Sequence, residues 1–205
     1  MFYLGLDLGQ RRDHSAIAVV ERWDAGRAYL GVAMRCLELR YVERIPLGTP
    51  YTGVVERVRR LVQDPQLLGQ VAVAVDATGV GAPVVELMRG ARLGCEVMAV
   101  SITGGERETQ QGAVWNVPKR DLIAGVQVLL ERGELKISRR LEGSWALVKE
   151  LLDVRMTLTG GGRVRLGADG GGEHDDLVIA LALSCWRAQR RGNGFGSGRL
   201  PGVHG

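Results

Sequence analysis

Cysteine and lysine are both scarce in this chain of 205 residues. The three cysteines, Cys36, Cys95 and Cys185, are far apart, form no CxxC pair and lie in apolar segments. An odd number of such cysteines is typical of buried, reduced thiols and argues against a disulfide framework or a zinc site, so we expect a cytoplasmic protein. Lysine occurs at three positions only, so arginine supplies most of the positive charge behind the net charge of +4. Arginine suits phosphate recognition, although an arginine-rich genome would give the same composition.

Long apolar runs and nucleotide-binding motifs are also missing. No apolar stretch approaches the roughly 20 residues needed to cross a bilayer, and the N-terminus lacks the basic segment of a signal peptide. The chain contains no GxxxxGK[ST] motif, so the glycines of "DATGVGAP" are a weak nucleotide signal. We interpret them as a turn that lets the chain leave a buried strand. With 45% hydrophobic and 24% charged residues, the composition predicts an ordinary globular domain.

The hydrophobic pattern changes several times between the strand period and the helix period. It predicts strands over residues 2–8, 15–24, 27–39, 70–76, about 95–102 and 135–138, and a hairpin in "MTLTGGGRVRLGA". It predicts helices that begin near Pro50, Pro83 and Pro118, a helix over about 140–155, a closing helix in "HDDLVIALALSCWRAQRR", and a polar loop over 102–116. This order predicts one mixed α/β domain over residues 1–190. The glycine-rich residues 191–205 are expected to form a disordered tail.

Four carboxylates stand at the ends of predicted elements. Asp7 and Asp76 each end a buried strand, and Asp175 and Asp176 open the last helix. If the two strands are parallel neighbours, their ends meet where ligand sites gather in α/β sheets. Carboxylates held close together repel one another strongly, and hard cations such as Mg²⁺ or Mn²⁺ relieve that repulsion. Two such ions can activate water for phosphodiester cleavage, so the pattern predicts a site for one or two ions.

Each of these residues has a simpler explanation when it is taken alone. Asp7 could be a turn residue, and Asp76 could cap the turn that follows it. Asp175 and Asp176 could be the N-cap and first-turn acids of a helix, since both positions favour negative charge. Only the presence of all four on one α/β scaffold favours a metal site.

Four segments together resemble a known family. "LGLDLG…DHSAIAVVE", "VAVDATGVGAPVVELM", "NVPKRDLIAGVQVLLERGELKI" and "HDDLVIALALSCW" resemble the C-terminal nuclease domain of phage terminase large subunits. The resemblance covers about residues 2–188 and implies an RNase H-like fold, in which helices flank a mixed central sheet, with a late β-hairpin. It also implies a metal-dependent endonuclease that cuts concatemeric viral DNA with two ions, Mg²⁺ or Mn²⁺. Asp7, Asp76 and Asp175 then match the metal ligands, with Asp176 beside or among them.

The resemblance implies further residues and partners. Phosphate contacts would come from basic residues near the acidic cleft, although each could equally lie in an ordinary solvated loop: Arg107, Lys119, Arg120, Arg163 and Arg165. Apart from the resemblance, Asp13, His14 and His174 are candidate accessory residues because they lie near the acids in the sequence, although each could be an ordinary loop residue. The expected partners are double-stranded DNA, a packaging ATPase domain, the small terminase subunit and the portal, in the cytoplasm of a bacterial host and without a membrane.

Other readings of the sequence remain open. A RuvC-type junction resolvase or another RNase H-like nuclease would share the same ligands, and a non-catalytic remnant could bind DNA without cutting it. An ATP-binding fold of the sugar-kinase and actin type also opens with a "DLG"-like turn, but it needs two related halves. The chain starts directly on the first nuclease strand and lacks a Walker A loop. We therefore expect an excised domain, a split-gene product or a prophage remnant, without ATP-driven translocation in these residues.

Overall fold

The computed structural model describes residues 1–9, 13–27, 33–79, 81–158, 164–167 and 175–190. Within these ranges the strands are β1 Phe2–Asp7, β2 Ala16–Arg27, β3 Ala33–Arg44, β4 Val71–Asp76, β5 Glu96–Thr103, β6 Thr109–Gln111, β7 Val114–Pro118, β8 Leu135–Ile137, β9 Arg155–Leu158 and β10 Val164–Gly167. The helices are α1 Tyr51–Val62, α2 Gly81–Gly90, α3 Lys119–Glu131, α4 Ser144–Asp153 and α5 Asp176–Gln189.

Eight strands form one mixed sheet in the order β6-β7-β5-β4-β1-β2-β3-β8. β1 pairs antiparallel with β2, whereas the adjacent strands β7, β5, β4 and β1 run parallel to one another. The C-terminal ends of β1 and β4 therefore lie at the same edge, with Leu6 opposite Val75. β9 and β10 form the separate late hairpin. The predicted fold class is thus confirmed.

The two faces of the central strands differ in side-chain size. In β1 and β4 the larger side chains, Leu4, Leu6 and the valines of β4, pack with α1 and α2. The opposite face carries small residues such as Ala72 and Ala74, and it packs against α3 and α5. Because successive side chains of a strand point to opposite faces, this alternation makes one face of the sheet shallow enough for a helix to approach closely.

Helix α5 uses that shallow face. It is buried along nearly its whole length, as expected for a helix that is apolar on all sides. A Cβ atom added at Gly5 would lie 2.0 Å from the backbone oxygen of Ala180 and 2.6 Å from the backbone nitrogen of Ser184. Only glycine at position 5 allows α5 to lie this close to β1, and this contact sets where the N-terminus of the helix stands.

Several element boundaries differ from the sequence-based prediction. β2 continues through the predicted turn to Arg27, and β3 ends at Arg44 rather than near residue 39. The polar loop predicted over 102–116 contains β6 and β7. β6 is an edge strand whose three residues are all exposed, so it has no apolar alternation to reveal it. The three cysteines are free thiols as predicted, but only Cys36 and Cys185 are buried and Cys95 is partly exposed.

Two further predictions concern the C-terminal tail and membrane-spanning segments. The tail over residues 191–205 lies outside the described residues, so its disorder stays a prediction. Among the described residues, no helix combines the length and the apolar character that crossing a membrane requires.

Candidate active site

Asp7 and Asp76 stand side by side at the ends of two parallel strands. Each follows the paired residues Leu6 and Val75 by one position, so the two carboxyl groups lie next to each other. They are close enough to shift each other's pKa, and the pKa of Asp7 is raised well above its ordinary value.

The raised pKa of Asp7 has two kinds of cause. Burial is the larger cause, because the carboxyl group is crowded by protein atoms even though the residue remains partly accessible at the strand end. The negative charges of Asp76, Asp176 and Asp175 raise the pKa further, in that order of strength, and Lys119 lowers it. The three other predicted carboxylates therefore all lie close enough to act on Asp7.

Asp76 is oriented by the turn that follows it. Its Oδ1 accepts hydrogen bonds from the backbone N–H and the hydroxyl group of Thr78, at 2.8 Å and 2.5 Å. The Thr78 hydroxyl oxygen accepts in turn from the N–H of Ile102 on the neighbouring strand β5, at 2.8 Å. Burial raises the pKa of Asp76, and the bonds from Thr78 oppose that rise. The simpler explanation of Asp76 as a turn-capping residue is thus correct for one oxygen, and the same turn holds the carboxylate toward Asp7.

Helix α5 brings Asp175 and Asp176 to the same edge. Asp175 occupies the N-cap position but makes no side-chain capping bond. Its Oδ2 instead accepts a hydrogen bond from Lys119 Nζ at 2.5 Å. Asp176 is buried and lies 3.7 Å from Arg44, measured from Oδ2 to Nε. The helix-capping explanation therefore does not describe the side chain of Asp175, which points to the acidic site.

The capping role falls to a residue that the sequence analysis missed. Glu150 of α4 accepts hydrogen bonds through Oε2 from the backbone N–H groups of Leu177 and Val178, at 3.0 Å and 3.2 Å. Its other oxygen pairs with Arg44. Glu150, Arg44 and Thr78 thus all support the acids, and only Thr78, two residues after Asp76 in a turn, left a local signal in the sequence.

The site can be compared with what a divalent ion needs. Its candidate ligands are carboxylate oxygens, which Mg²⁺ and Mn²⁺ prefer, and the mutual repulsion recorded in the pKa of Asp7 is the kind that a cation relieves. Within the part of the chain that the structure describes, however, no three acidic, histidine or cysteine side chains are placed so that they could hold a metal ion together. Asp175 and Asp176 instead pair with Lys119 and Arg44. The donor atoms are of the type that a divalent cation prefers, and in this arrangement two protein cations provide the counter-charge.

The predicted accessory residues have other surroundings. The ring nitrogen Nδ1 of His14 lies 2.9 Å from the backbone oxygen of Ile45, which ties the loop to the end of β3. Asp13 is exposed in the same loop. His174 lies outside the described residues. Roles for all three in the chemistry stay predictions.

The basic residues predicted to contact DNA lie at different distances from the chemistry. Lys119 is inside the acidic site through its bond to Asp175. Arg120 donates a hydrogen bond to the backbone oxygen of Glu106 at 2.7 Å, which anchors the loop that carries the exposed Arg107. Arg165 lies on β10, and Arg163 is outside the described residues. The structure therefore groups Lys119, Arg120 and Arg107 along one segment that leads away from the acids.

The sheet order defines the class: an RNase H-like fold, with four carboxylates near one edge of the sheet. Scans against protein-family models and against curated protein sequences found no match. Solved structures do match. The magnesium-bound large terminase nuclease of thermophilic phage G20c is 22% identical over 91% of this chain and 81% of its own, with a TM-score of 0.65.

Two further solved structures show the same relation. The nuclease domain of the large terminase subunit gp2 of bacterial virus Sf6 is 15% identical over 90% of this chain and 87% of its own, with a TM-score of 0.62. The HK97 bacteriophage large terminase is also 15% identical over 90% of this chain, which corresponds to 38% of its own length, with a TM-score of 0.52. At these identities it is the fold that is shared: this chain has the fold of the phage large terminase nuclease domains.

Proposed function

We propose that this chain is a metal-dependent DNA endonuclease of the terminase large-subunit type, which cuts double-stranded viral DNA during genome packaging. One observation carries the proposal: Asp76, Asp175 and Asp176, from two further elements, all lie close enough to act on Asp7 at the edge of an RNase H-like sheet. Solved nuclease domains with this fold bind magnesium, cobalt or manganese, which supports Mg²⁺ or Mn²⁺ as the cofactor here.

The acids, Thr78 and Lys119 have different proposed roles. Asp7, Asp76 and Asp175 would hold the ions, and bound divalent ions supply an activated water and charge stabilisation for phosphodiester hydrolysis. Thr78 fixes the direction of one Asp76 oxygen. Burial and the neighbouring carboxylates raise the pKa of Asp7, and a bound cation would favour its ionised form as a ligand. Lys119 balances the charge of Asp175 beside them.

The substrate would approach along the basic segment. Lys119 and Arg120 open α3, and Arg120 supports the loop with the exposed Arg107. Contacts of arginine and lysine with phosphates position DNA without reading its sequence. This supports cleavage with little sequence preference.

The proposed partners are those expected for a terminase large subunit. The chain corresponds to 38% of the HK97 large terminase, which supports action together with a packaging ATPase domain. The small terminase subunit and the portal are the further proposed partners. Their place would be the cytoplasm of an infected or lysogenic bacterial cell.

The test is cleavage of supercoiled plasmid by the purified chain with Mn²⁺ or Mg²⁺ over a range of salt concentrations. We expect nicked and linear products from the wild type and none from Asp7→Asn, Asp76→Asn or Asp175→Asn. Asp64→Asn is a matched control, because Asp64 is exposed and bonded to the N–H of Gln66 in its own turn. A wild type that never cuts would contradict the enzymatic proposal and favour a DNA-binding remnant. A strong preference for four-way junctions over plasmid would instead indicate a resolvase.

A further inference from the structure

Glu150 occupies an unusual position for an acidic residue. It lies on α4, its side chain is 8% exposed, and it faces the N-terminus of α5 rather than solvent. Burial of a carboxylate is costly unless hydrogen bonds and an opposite charge compensate for it. Glu150 has both, since one oxygen accepts from Leu177 and Val178 and the other pairs with Arg44.

The contacts of Glu150 lead directly to the acidic site. Leu177 and Val178 immediately follow Asp176, so the N–H groups that Glu150 accepts belong to the first turn of the helix that carries Asp175 and Asp176. Arg44 links Glu150 to Asp176 across a distance of 3.7 Å between Arg44 Nε and Asp176 Oδ2. One residue therefore holds the backbone of this turn and, through an arginine, one of its carboxylates.

Capping by a distant side chain also frees the local acids. Orphan N–H groups at a helix N-terminus are usually satisfied by the N-cap side chain, which here would be Asp175. Because Glu150 accepts from these groups, Asp175 makes no capping bond and its Oδ2 reaches Lys119. The same carboxylate could not easily serve both purposes.

We infer that Glu150 is a positioning residue for the metal site: it fixes the first turn of α5, and with Arg44 it sets the direction of Asp176. The inference rests on the proposed function for its consequence in metal binding, but the contacts themselves do not depend on it. Side chains that orient metal ligands commonly change metal affinity by about 10- to 100-fold when they are replaced.

The experiment compares Glu150→Ala and Glu150→Gln with the wild type and with Glu142→Gln, a control at the exposed acid that precedes α4. The glutamine keeps one oxygen that can accept from the helix, but it loses the charge that pairs with Arg44. Three quantities are measured: amide hydrogen exchange at Leu177 and Val178 without metal, Mn²⁺ affinity by calorimetry, and the single-turnover cleavage rate at saturating DNA.

We expect exchange at the two amides to rise at least about tenfold in Glu150→Ala, with a smaller rise in Glu150→Gln. Mn²⁺ affinity should fall by about 10- to 100-fold in Glu150→Ala, and the cleavage rate should fall with it, whereas Glu142→Gln should match the wild type. Unchanged exchange, or a lower melting temperature with unchanged Mn²⁺ affinity and rate, would overturn the inference. A wild type that binds no Mn²⁺ would overturn the proposed function instead, and the exchange result would still decide the position of α5.

Discussion

Replacing Asp7 with asparagine is expected to stabilise the metal-free protein while it abolishes cleavage. In the folded chain the pKa of Asp7 is raised well above the ordinary value of 3.8, by burial and then by Asp76, Asp176 and Asp175. A folded-state pKa above the unfolded one means that the stability contribution is complete below about 3.8 and is lost as the pH rises through the folded-state pKa. At alkaline pH the ionised Asp7 therefore destabilises the fold.

The size of the effect follows from the same linkage. Each tenfold bias of the folded state toward protonated Asp7 is worth about 1.4 kcal/mol once the pH forces ionisation. For a chain of this size, 1 kcal/mol changes the melting temperature by about 2–4 °C. Asparagine has nearly the same shape, carries no charge at any pH, and keeps an amide that can donate a hydrogen bond. We therefore expect Asp7→Asn to melt at least about 3 °C above the wild type at pH 9 in EDTA.

The assay is thermal unfolding from pH 4 to pH 9, with EDTA and with Mn²⁺. The advantage of Asp7→Asn should shrink as the pH falls toward the ordinary pKa of 3.8. Mn²⁺ should raise the melting temperature of the wild type more than that of the variant, because only the wild type keeps the full set of ligands. Asp64→Asn, at an exposed turn, should follow the wild type. If metal-free Asp7→Asn is equally stable or less stable at pH 9, the electrostatic reasoning is wrong.

Three other substitutions test the support of the site. Gly5→Ala places a Cβ 2.0 Å from the backbone oxygen of Ala180, so it should lower the melting temperature and the cleavage rate together. Gly125→Ala is the control: its Cβ would have no neighbour within 4 Å, so it should be neutral or slightly stabilising in thermal unfolding. Thr78→Val removes the hydroxyl bond to Asp76, which should cost about 1 kcal/mol in denaturant unfolding, with Thr78→Ser retaining stability. Lys119→Met removes a charge that lowers the pKa of Asp7 and Asp76, so the acid limb of the pH–rate profile should move to higher pH; an unmoved limb would contradict this.

The sequence predicted what depends on local pattern. The short apolar runs of β1 and β4 and the glycine-containing turns after them were enough to place Asp7 and Asp76 at strand ends, and the closing apolar helix placed Asp175 and Asp176 at its start. The edge strand β6 was missed because all its residues are exposed and polar. A strand can be recognised from its hydrophobic period only when one of its faces is buried, and β6 has no buried face.

The support of the acids could not be predicted in the same way. Glu150 and Arg44 are 106 residues apart, and each looks like an ordinary surface charge on its own element. Their roles arise only when α4 and β3 meet the N-terminus of α5. Gly5 is a similar case, since a glycine in a strand suggests close approach of another backbone but does not say which one.

The two acids of α5 differ in a way that bears on which of them binds an ion directly. Asp176 acts more strongly on Asp7 than Asp175 does, but it is buried and lies against Arg44, which Glu150 also holds. Asp175 is 26% exposed and pairs with the flexible Lys119. An arriving cation can displace a lysine from the more exposed Asp175 more readily than it can displace, from the buried Asp176, an arginine held by two carboxylates. We therefore favour Asp175 as the direct ligand. We therefore expect Asp175→Asn to weaken Mn²⁺ binding in calorimetry more than Asp176→Asn does, and the reverse order would assign the direct contact to Asp176.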